Sequence, residues 1–391
     1  MRIFFYCQHV LGIGHLFRTL EICNALDGHE LFLVSGGPPI DVVFPDHVQQ
    51  VRLPGLMMDE NFNHLLPVKQ GESMERIKHE RCRLLRDHFI SRRPDLLLVE
   101  LYPFGRRAFR FELEPLLEEI RRATPPTTHV VCSLRDILVE KKDPQKYESR
   151  VVRSLNTTFD ALLIHADPNV VRLDETFSRV QDISIPVIYT GFVARKPKPG
   201  AGPRMRAALG IGLDEVLVVA SAGGGKVGLP ILEATVHAFK KLPDGRRRYR
   251  LHLFTGPLLA AADFSRLEKE ASKTIRIVRF AEDFLSCLAA ADLSISMAGY
   301  NTCMNILAAG VPSLVWPFPQ NREQRLRADR LQQFGVLRVL DTEDLTPVRL
   351  VDRMAEVLSE GRRPPPPVDM EGAKQTAARL SELVAGKKGK G

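Results

Sequence analysis

The sequence predicts an α/β protein built as two doubly wound, Rossmann-like halves. Three observations carry that expectation. Apolar strand-like runs alternate with helical segments along the chain, the pattern of a parallel sheet covered on both faces. Glycine-rich turns follow strand-like runs in both halves. A Pro/Gly/Lys-rich stretch, Gly191-Phe-Val-Ala-Arg-Lys-Pro-Lys-Pro-Gly-Ala-Gly-Pro203, breaks the pattern near the middle. At 391 residues the chain is long enough for two separate cores. The expected division is one domain over 1–195, a second over 202–365, and a C-terminal segment 366–391. That last segment is expected to hold a helix, then a basic tail.

In the first half, apolar runs predict strands at 2–6, 30–35, 95–100, 129–133, 161–165 and 186–190. Helices are expected at 15–26, 74–90, 107–123 and 144–156. Residues 36–73 read as irregular, although they carry the apolar clusters Leu56-Met-Met and Phe62-Asn-His-Leu-Leu66. In the second half, strands are expected at 215–220, 250–255, 275–279, 292–297 and 313–316, with helices between them. Gly361-Arg-Arg-Pro-Pro-Pro-Pro367 cannot continue a helix, because prolines lack the N–H donor. It reads as a stiff connector to a last helix at 371–385.

Composition narrows the class. Hydrophobic content of 44% and charged content of 26% are ordinary for a globular protein. No apolar run approaches the roughly 20 residues that cross a bilayer. The opening Met1-Arg-Ile-Phe-Phe-Tyr-Cys7 reads as a strand, too short and too soon polar for a secretory signal. Six cysteines without paired spacing predict reduced thiols and a cytoplasmic protein, and no Cys/His cluster has zinc-site spacing. A net charge of +8 suits an anionic partner. The basic clusters at 76–86, 92–93 and 245–250 read as solvated surface and accompany no nucleic-acid-binding motif. Nucleic acid is therefore not an expected partner; peripheral contact with an anionic membrane is the surface interaction the charge would suit.

Four motifs carry chemistry. Ser296 to Phe318 reads as strand, glycine turn, helix, Gly-Val-Pro break and second strand. Gly299 permits close backbone approach, and the helix beginning at Tyr300 offers free amides and a positive dipole end to an anion. Arg322-Glu-Gln324 follows the next strand, and an acid–amide pair beside a phosphate site suits a nucleotide that carries a sugar. Ser221-Ala-Gly-Gly-Gly-Lys226 leaves further amides free to face phosphate, but lacks the Walker and dinucleotide spacings. Gly12-Ile-Gly-His15 follows the first strand; the helix start disfavours an imidazolium, so His15 can accept a proton as a general base. His9 is a weaker candidate. Glu100 ends a strand of the same half and is either an alternative base or the partner that orients His15.

In order and spacing these motifs resemble those of the GT-B glycosyltransferases, and most closely the family 28 branch, which includes the lipid II N-acetylglucosaminyltransferase. The resemblance covers most of the chain. It is closest to a less-characterised group marked by Gly-Tyr-Asn-Thr and a later Arg-Glu-Gln. It implies a GT-B fold: two facing Rossmann-like domains with an interdomain cleft, the first on the acceptor side and the second binding the nucleotide-sugar, with a C-terminal helix that crosses back onto the first domain. It implies that Gly12 and Gly14 form the first glycine loop, and Ser221, Gly223, Gly224 and Gly225 the second. Phe280 and Ala281 would hold the nucleotide base through their backbone. Ala298, Gly299, Tyr300, Asn301 and Thr302 would form the diphosphate loop. Asn305 stands where family members usually carry the glutamate that binds ribose; it can hydrogen-bond but lacks charge-assisted strength. Glu323 and Gln324 would hold the donor sugar. The implied reaction is inverting, metal-independent transfer from a nucleotide-diphospho-sugar, a UDP-sugar, to a hydroxyl of an unidentified glycan, lipid-linked or small-molecule acceptor, without a cofactor. The alternatives are a sugar-nucleotide epimerase or hydrolase on the same fold, or a non-catalytic nucleotide-sugar-binding protein.

Overall fold

In the computed structural model the described residues are 1–9, 14–39, 42–59, 64–123, 128–139, 141–225, 227–243, 248–362, 364 and 367–388. Gly12, Phe62, Lys226, Arg246, Arg247 and the end of the basic tail lie outside them. The chain divides into two compact units, Met1–Val193 with Asp369–Gly391, and Ala194–Val368.

The first unit contains β1 (Arg2–Tyr6), α1 (Gly14–Ala25), β2 (Glu30–Ser35), β3 (Val48–Arg52), β4 (Leu56–Met58), β5 (Leu65–Pro67), α2 (Met74–Arg92), β6 (Leu96–Glu100), α3 (Arg110–Arg122), β7 (His129–Arg135), α4 (Pro144–Thr158), β8 (Ala161–His165) and β9 (Val187–Tyr189). Seven strands form a parallel sheet in the order β3-β2-β1-β6-β7-β8-β9. Its central strands, such as Leu-Leu-Leu-Val-Glu of β6, are buried along their whole length, because helices cover both faces of a parallel sheet. Helix starts follow local capping: Ser73 accepts from the Arg76 amide before α2, and Asp143 from the Lys146 amide before α4.

One expectation is corrected in this unit. Residues 36–73 are not wholly irregular. β3 lies at the sheet edge and buries only Val48 and Val51, so its Val-Gln-Gln-Val-Arg sequence shows no clear alternation. β4 and β5 form a separate short antiparallel pair.

The second unit contains α5 (Ala201–Leu209), β10 (Glu215–Ser221), α6 (Leu229–Phe239), β11 (Arg248–Phe254), α7 (Ala261–Glu268), β12 (Ile275–Val278), α8 (Phe284–Ala290), β13 (Leu293–Met297), α9 (Tyr300–Ala309), β14 (Ser313–Trp316), α10 (Arg322–Gln333), β15 (Arg338–Val339) and α11 (Pro347–Glu360). The sheet is parallel, in the order β12-β11-β10-β13-β14-β15. α5 begins inside the stretch expected to be linker. Pro203 falls in its first turn, where the missing N–H has no intrahelical partner to lose. β15 was not anticipated; two residues are too few to give a periodic signal.

The chain then returns to the first unit as α12 (Gly372–Lys388). Its Leu380 and Val384 share one core with Leu16 and Leu20 of α1. The return is pinned by Asp369, whose amide donates to Asp167 Oδ2 at 2.8 Å and whose carbonyl accepts from Phe192 N at 2.8 Å.

In each sheet the strand order reverses once, between β1 and β6 and between β10 and β13. Ligands of doubly wound sheets bind beyond the strand C-termini at such a reversal. Both expected motif groups fall there: Gly14, His15 and Glu100 in one unit, Ser221 and Gly299 in the other.

Candidate functional site

In the first unit, Glu100 is the last residue of β6 and His15 the second residue of α1. His15 Nδ1 lies 2.7 Å from Glu100 Oε1. Arg18, one turn further along α1, donates to the same oxygen at 2.5 Å. Arg106 brings its Nε to 3.9 Å from Glu100 Oε2. Arg18, Glu100 and Arg106 are buried, whereas the His15 side chain keeps 17% exposure.

The electrostatics of this cluster set two protonation states. Burial drives the His15 ring toward its neutral form and lowers its pKa to about 4; the pull of Glu100 runs the other way, and Arg106 and Arg18 add to the lowering. Burial alone would raise the Glu100 carboxyl, but the His15 ring and the guanidiniums of Arg18 and Arg106 hold it well below the usual carboxylate range. With Glu100 ionised, Nδ1 carries the ring proton and donates it to Oε1. Nε2 then keeps its lone pair, as a general base requires. His9 is more buried and directs Nε2 at the Pro38 carbonyl oxygen, 3.0 Å away.

In the second unit, Ser221 ends β10 and the glycines follow. Gly223 and Gly225 have φ of +62° and +92°, a conformation that L side chains rarely adopt. The Ser221 hydroxyl accepts from the Gly223 amide at 3.1 Å, so it shapes the turn. The Gly225 amide donates to Ala222 O, whereas that of Gly224 has no acceptor among the described residues. A Cβ on Gly224 would meet only Leu258, at 3.9 Å.

The neighbouring loops close around this turn. Leu258 N donates to Gly224 O at 2.9 Å, and Gly256 N to Arg279 O at 2.9 Å. The second bond sets the Phe280–Ala281 segment beside the same group of loops; the Phe280 side chain is 57% exposed. From the other side, Thr302 in the first turn of α9 brings its Oγ1 to 3.7 Å from a Cβ on Gly223 and 3.8 Å from one on Gly299. The glycine turn and the start of α9 are therefore adjacent. Asn305, half-buried, lies one turn beyond Thr302 on that side of the helix.

Asn321 caps α10 by accepting from the Gln324 amide. Gln324 Oε1 accepts from Phe318 N at 3.1 Å, which leaves its NH2 group as donor. Glu323 is buried, and its Oε1 accepts from Arg327 Nη2 at 2.7 Å. Arg327 also donates to the Ala298 carbonyl at 3.2 Å and lies 5.5 Å from the centre of the Tyr300 ring. Sequence reasoning missed Arg327, although a Glu and an Arg four apart on a helix were a readable signal. It also missed the roles of Arg18 and Arg106.

Residues 219–384 match the glycosyltransferase family 28 C-terminal domain. The match begins near the end of β10, spans the rest of the second unit and runs into α12. The UDP-N-acetylglucosamine--N-acetylmuramyl-(pentapeptide) pyrophosphoryl-undecaprenol N-acetylglucosamine transferase of Caldanaerobacter subterraneus is 30% identical over 160 residues, 40% of this chain and 43% of that protein. An uncharacterized glycosyltransferase of Methanopyrus kandleri is 23% identical over 245 residues, 61% of this chain and 66% of that one. Each match thus spans less than two thirds of its relative. The MurG structure from Acinetobacter baumannii superposes with a TM-score of 0.55 at 15% identity, covering 98% of this chain and 99% of that one. The expected fold class is met: the fold is GT-B.

Proposed function

We propose that this protein transfers a sugar from a nucleotide-diphospho-sugar, a UDP-sugar, to an acceptor hydroxyl, with inversion and without a metal ion. The observation that carries the reading is the His15–Glu100 pair at 2.7 Å in a chain that also holds a family 28 domain. A single displacement needs a base that is neutral before the reaction and stabilised once protonated. Burial supplies the first property, and the ionised Glu100 supplies the second. The role of His15 is to take the acceptor proton on Nε2 as the hydroxyl attacks the anomeric carbon. The Gly224 amide and the first turn of α9 would receive the negative charge that develops on the departing diphosphate. In this reading Phe280 and Ala281 hold the base, Asn305 the ribose, and Glu323 and Gln324 the sugar. UDP as the nucleotide is supported by the name of the Caldanaerobacter relative.

A panel of nucleotide-sugars tests this. The expected result is a melting temperature that rises with the concentration of one UDP-sugar, because a ligand of the folded state stabilises it by mass action. That donor is then incubated with and without candidate acceptors, and free UDP is measured. Release that depends on acceptor supports transfer. Release without acceptor points to a hydrolase, and binding without release to a non-catalytic protein. If no nucleotide shifts the melting curve, the reading is lost.

A further inference from the structure

Beyond the pair itself, the surroundings of Glu100 are uneven. Its Oε1 accepts from both His15 and Arg18, whereas its Oε2 is buried with no hydrogen-bond partner among the described residues. Arg106 stands next to that oxygen at 3.9 Å, within ion-pair range but too far for a hydrogen bond. Its own Nε and Nη2 are buried and unpartnered as well. Buried polar groups left without partners are costly, and such groups in a native fold call for a reason.

The backbone is committed to this placement. Leu101 and Arg106 both have positive φ, +67° and +57°, unusual for residues with side chains. The loop between them is tied down: Leu101 N donates to Ser133 O, Gly105 N to Leu101 O, and Tyr147 Oη to Phe104 O. Strained residues held by a rigid surround cluster at functional sites.

We propose that Arg106 is a positioning residue of the His15–Glu100 pair: its guanidinium keeps Oε2 unprotonated by charge alone, so that Glu100 stays a carboxylate, holds the proton on His15 Nδ1 and leaves Nε2 free. The inference rests on the proposed role of His15. Arg18 also supplies positive charge, but at the other oxygen, the one that His15 already uses. Arg106 has a second effect. A fixed positive charge near the pair opposes any lasting charge on His15, so a proton taken from an acceptor is passed on to solvent, which the ring still meets, and the base is empty before the next turnover.

The groups that face the pair come from five elements. Arg18 projects from α1 and Arg106 from the loop after β6. Cys7 follows β1, Cys132 lies on β7 and His165 on β8. Burial pushes the Cys7 thiol up to about 12, raises the Cys132 thiol well above the usual thiol range, and lowers His165 to about 3. Near pH 7, Arg18, Arg106 and Glu100 are thus the charged members of the group.

The test uses nitrogen-15 NMR of histidine and arginine side chains in the full chain and needs no substrate. Wild type is expected to show His15 protonated on Nδ1 and bare on Nε2 from pH 5 to 8. In Arg106→Gln the His15 protonation midpoint is expected to rise by about one pH unit, as loss of a nearby like charge dictates. Arg106→Lys is expected to return it toward wild type. A midpoint unchanged in a folded Arg106→Gln overturns the proposal. If that variant does not fold, the wild-type Arg106 Nε resonance decides: it should move with the His15 midpoint during acid titration, and a signal that ignores that titration overturns the proposal equally. Because none of these readings involves transfer, a failed transfer assay and a failed Arg106 test are distinguishable.

Discussion

Arg327 on α10 donates to the carbonyl oxygen of Ala298 across 3.2 Å, joining that helix to the turn between β13 and α9. The same guanidinium holds Glu323 at 2.7 Å, and both side chains are almost fully buried. Arg327→Gln is expected to leave Glu323 as a buried charge without that counter-ion. Breaking a buried pair from one side costs roughly 3–5 kcal/mol, which urea unfolding would register. Glu323→Gln combined with Arg327→Gln should recover part of the loss, because no charge is then stranded. A double variant as unstable as the sum of the single ones would mean that the pair is not coupled.

The glycine turn after β10 separates a structural glycine from a candidate ligand-binding one. Gly225 has φ +92°, and a Cβ there would lie 2.5 Å from Thr255 O. Gly225→Ala should destabilise the second unit by about 1–3 kcal/mol, the usual cost of such strain. Gly224 meets no such obstacle, so Gly224→Val should melt close to wild type yet lose UDP affinity. Calorimetry that finds equal UDP affinity in Gly224→Val and wild type would remove this amide from the phosphate site.

His15→Ala addresses the base directly. General-base assistance is typically worth about 10²–10⁴-fold, so turnover should fall by that order. UDP affinity should stay near wild type, since the proposed nucleotide contacts belong to the other unit. Turnover within a few-fold of wild type would transfer the role to another group.

Much of this fold was legible because its central strands are continuous apolar runs; β6 and β8 are examples. β3 was not, because two glutamines interrupt a strand that needs only Val48 and Val51 inside. Within the candidate sites, Gly14, His15, Glu100 and the glycine turn were readable from their positions at strand ends. The buried arginines were harder. Nothing local distinguishes Arg106 from the adjacent Arg107, one buried beside Glu100 and the other exposed. That difference depends on a partner in another part of the chain and on a backbone turn with positive φ. The turn-shaping bond from the Gly223 amide to the Ser221 hydroxyl was likewise not legible in the sequence.

Stability should respond to acid through the histidines. His165 is wholly buried, 2.7 Å from the Ser133 hydroxyl and 2.9 Å from that of Thr190. Burial lowers its pKa from 6.5 to about 3, and those of His15 and His252 to about 4. The folded chain therefore binds fewer protons than the unfolded chain between those values and 6.5. By linkage, their contribution is fully present above pH 6.5 and is lost progressively as the pH falls toward 4 and 3. Melting temperature should accordingly decline from pH 7 to pH 4. His165→Asn should start lower but decline less steeply; an unchanged slope would show that His165 does not contribute to it.

The return of the chain to its first unit has a consequence for how the protein is made. During synthesis the residues up to Val193 leave the ribosome with the α12-facing side of α1 uncovered, since Leu380 and Val384 do not yet exist. The second unit, continuous from Ala194 to Val368, has its full sequence earlier than the first. The unit that begins the chain is thus the last to be completed. Until then that side of α1 lacks its cover, and a ribosome that stalls after Val368 leaves the part carrying His15 unfinished and the second unit whole.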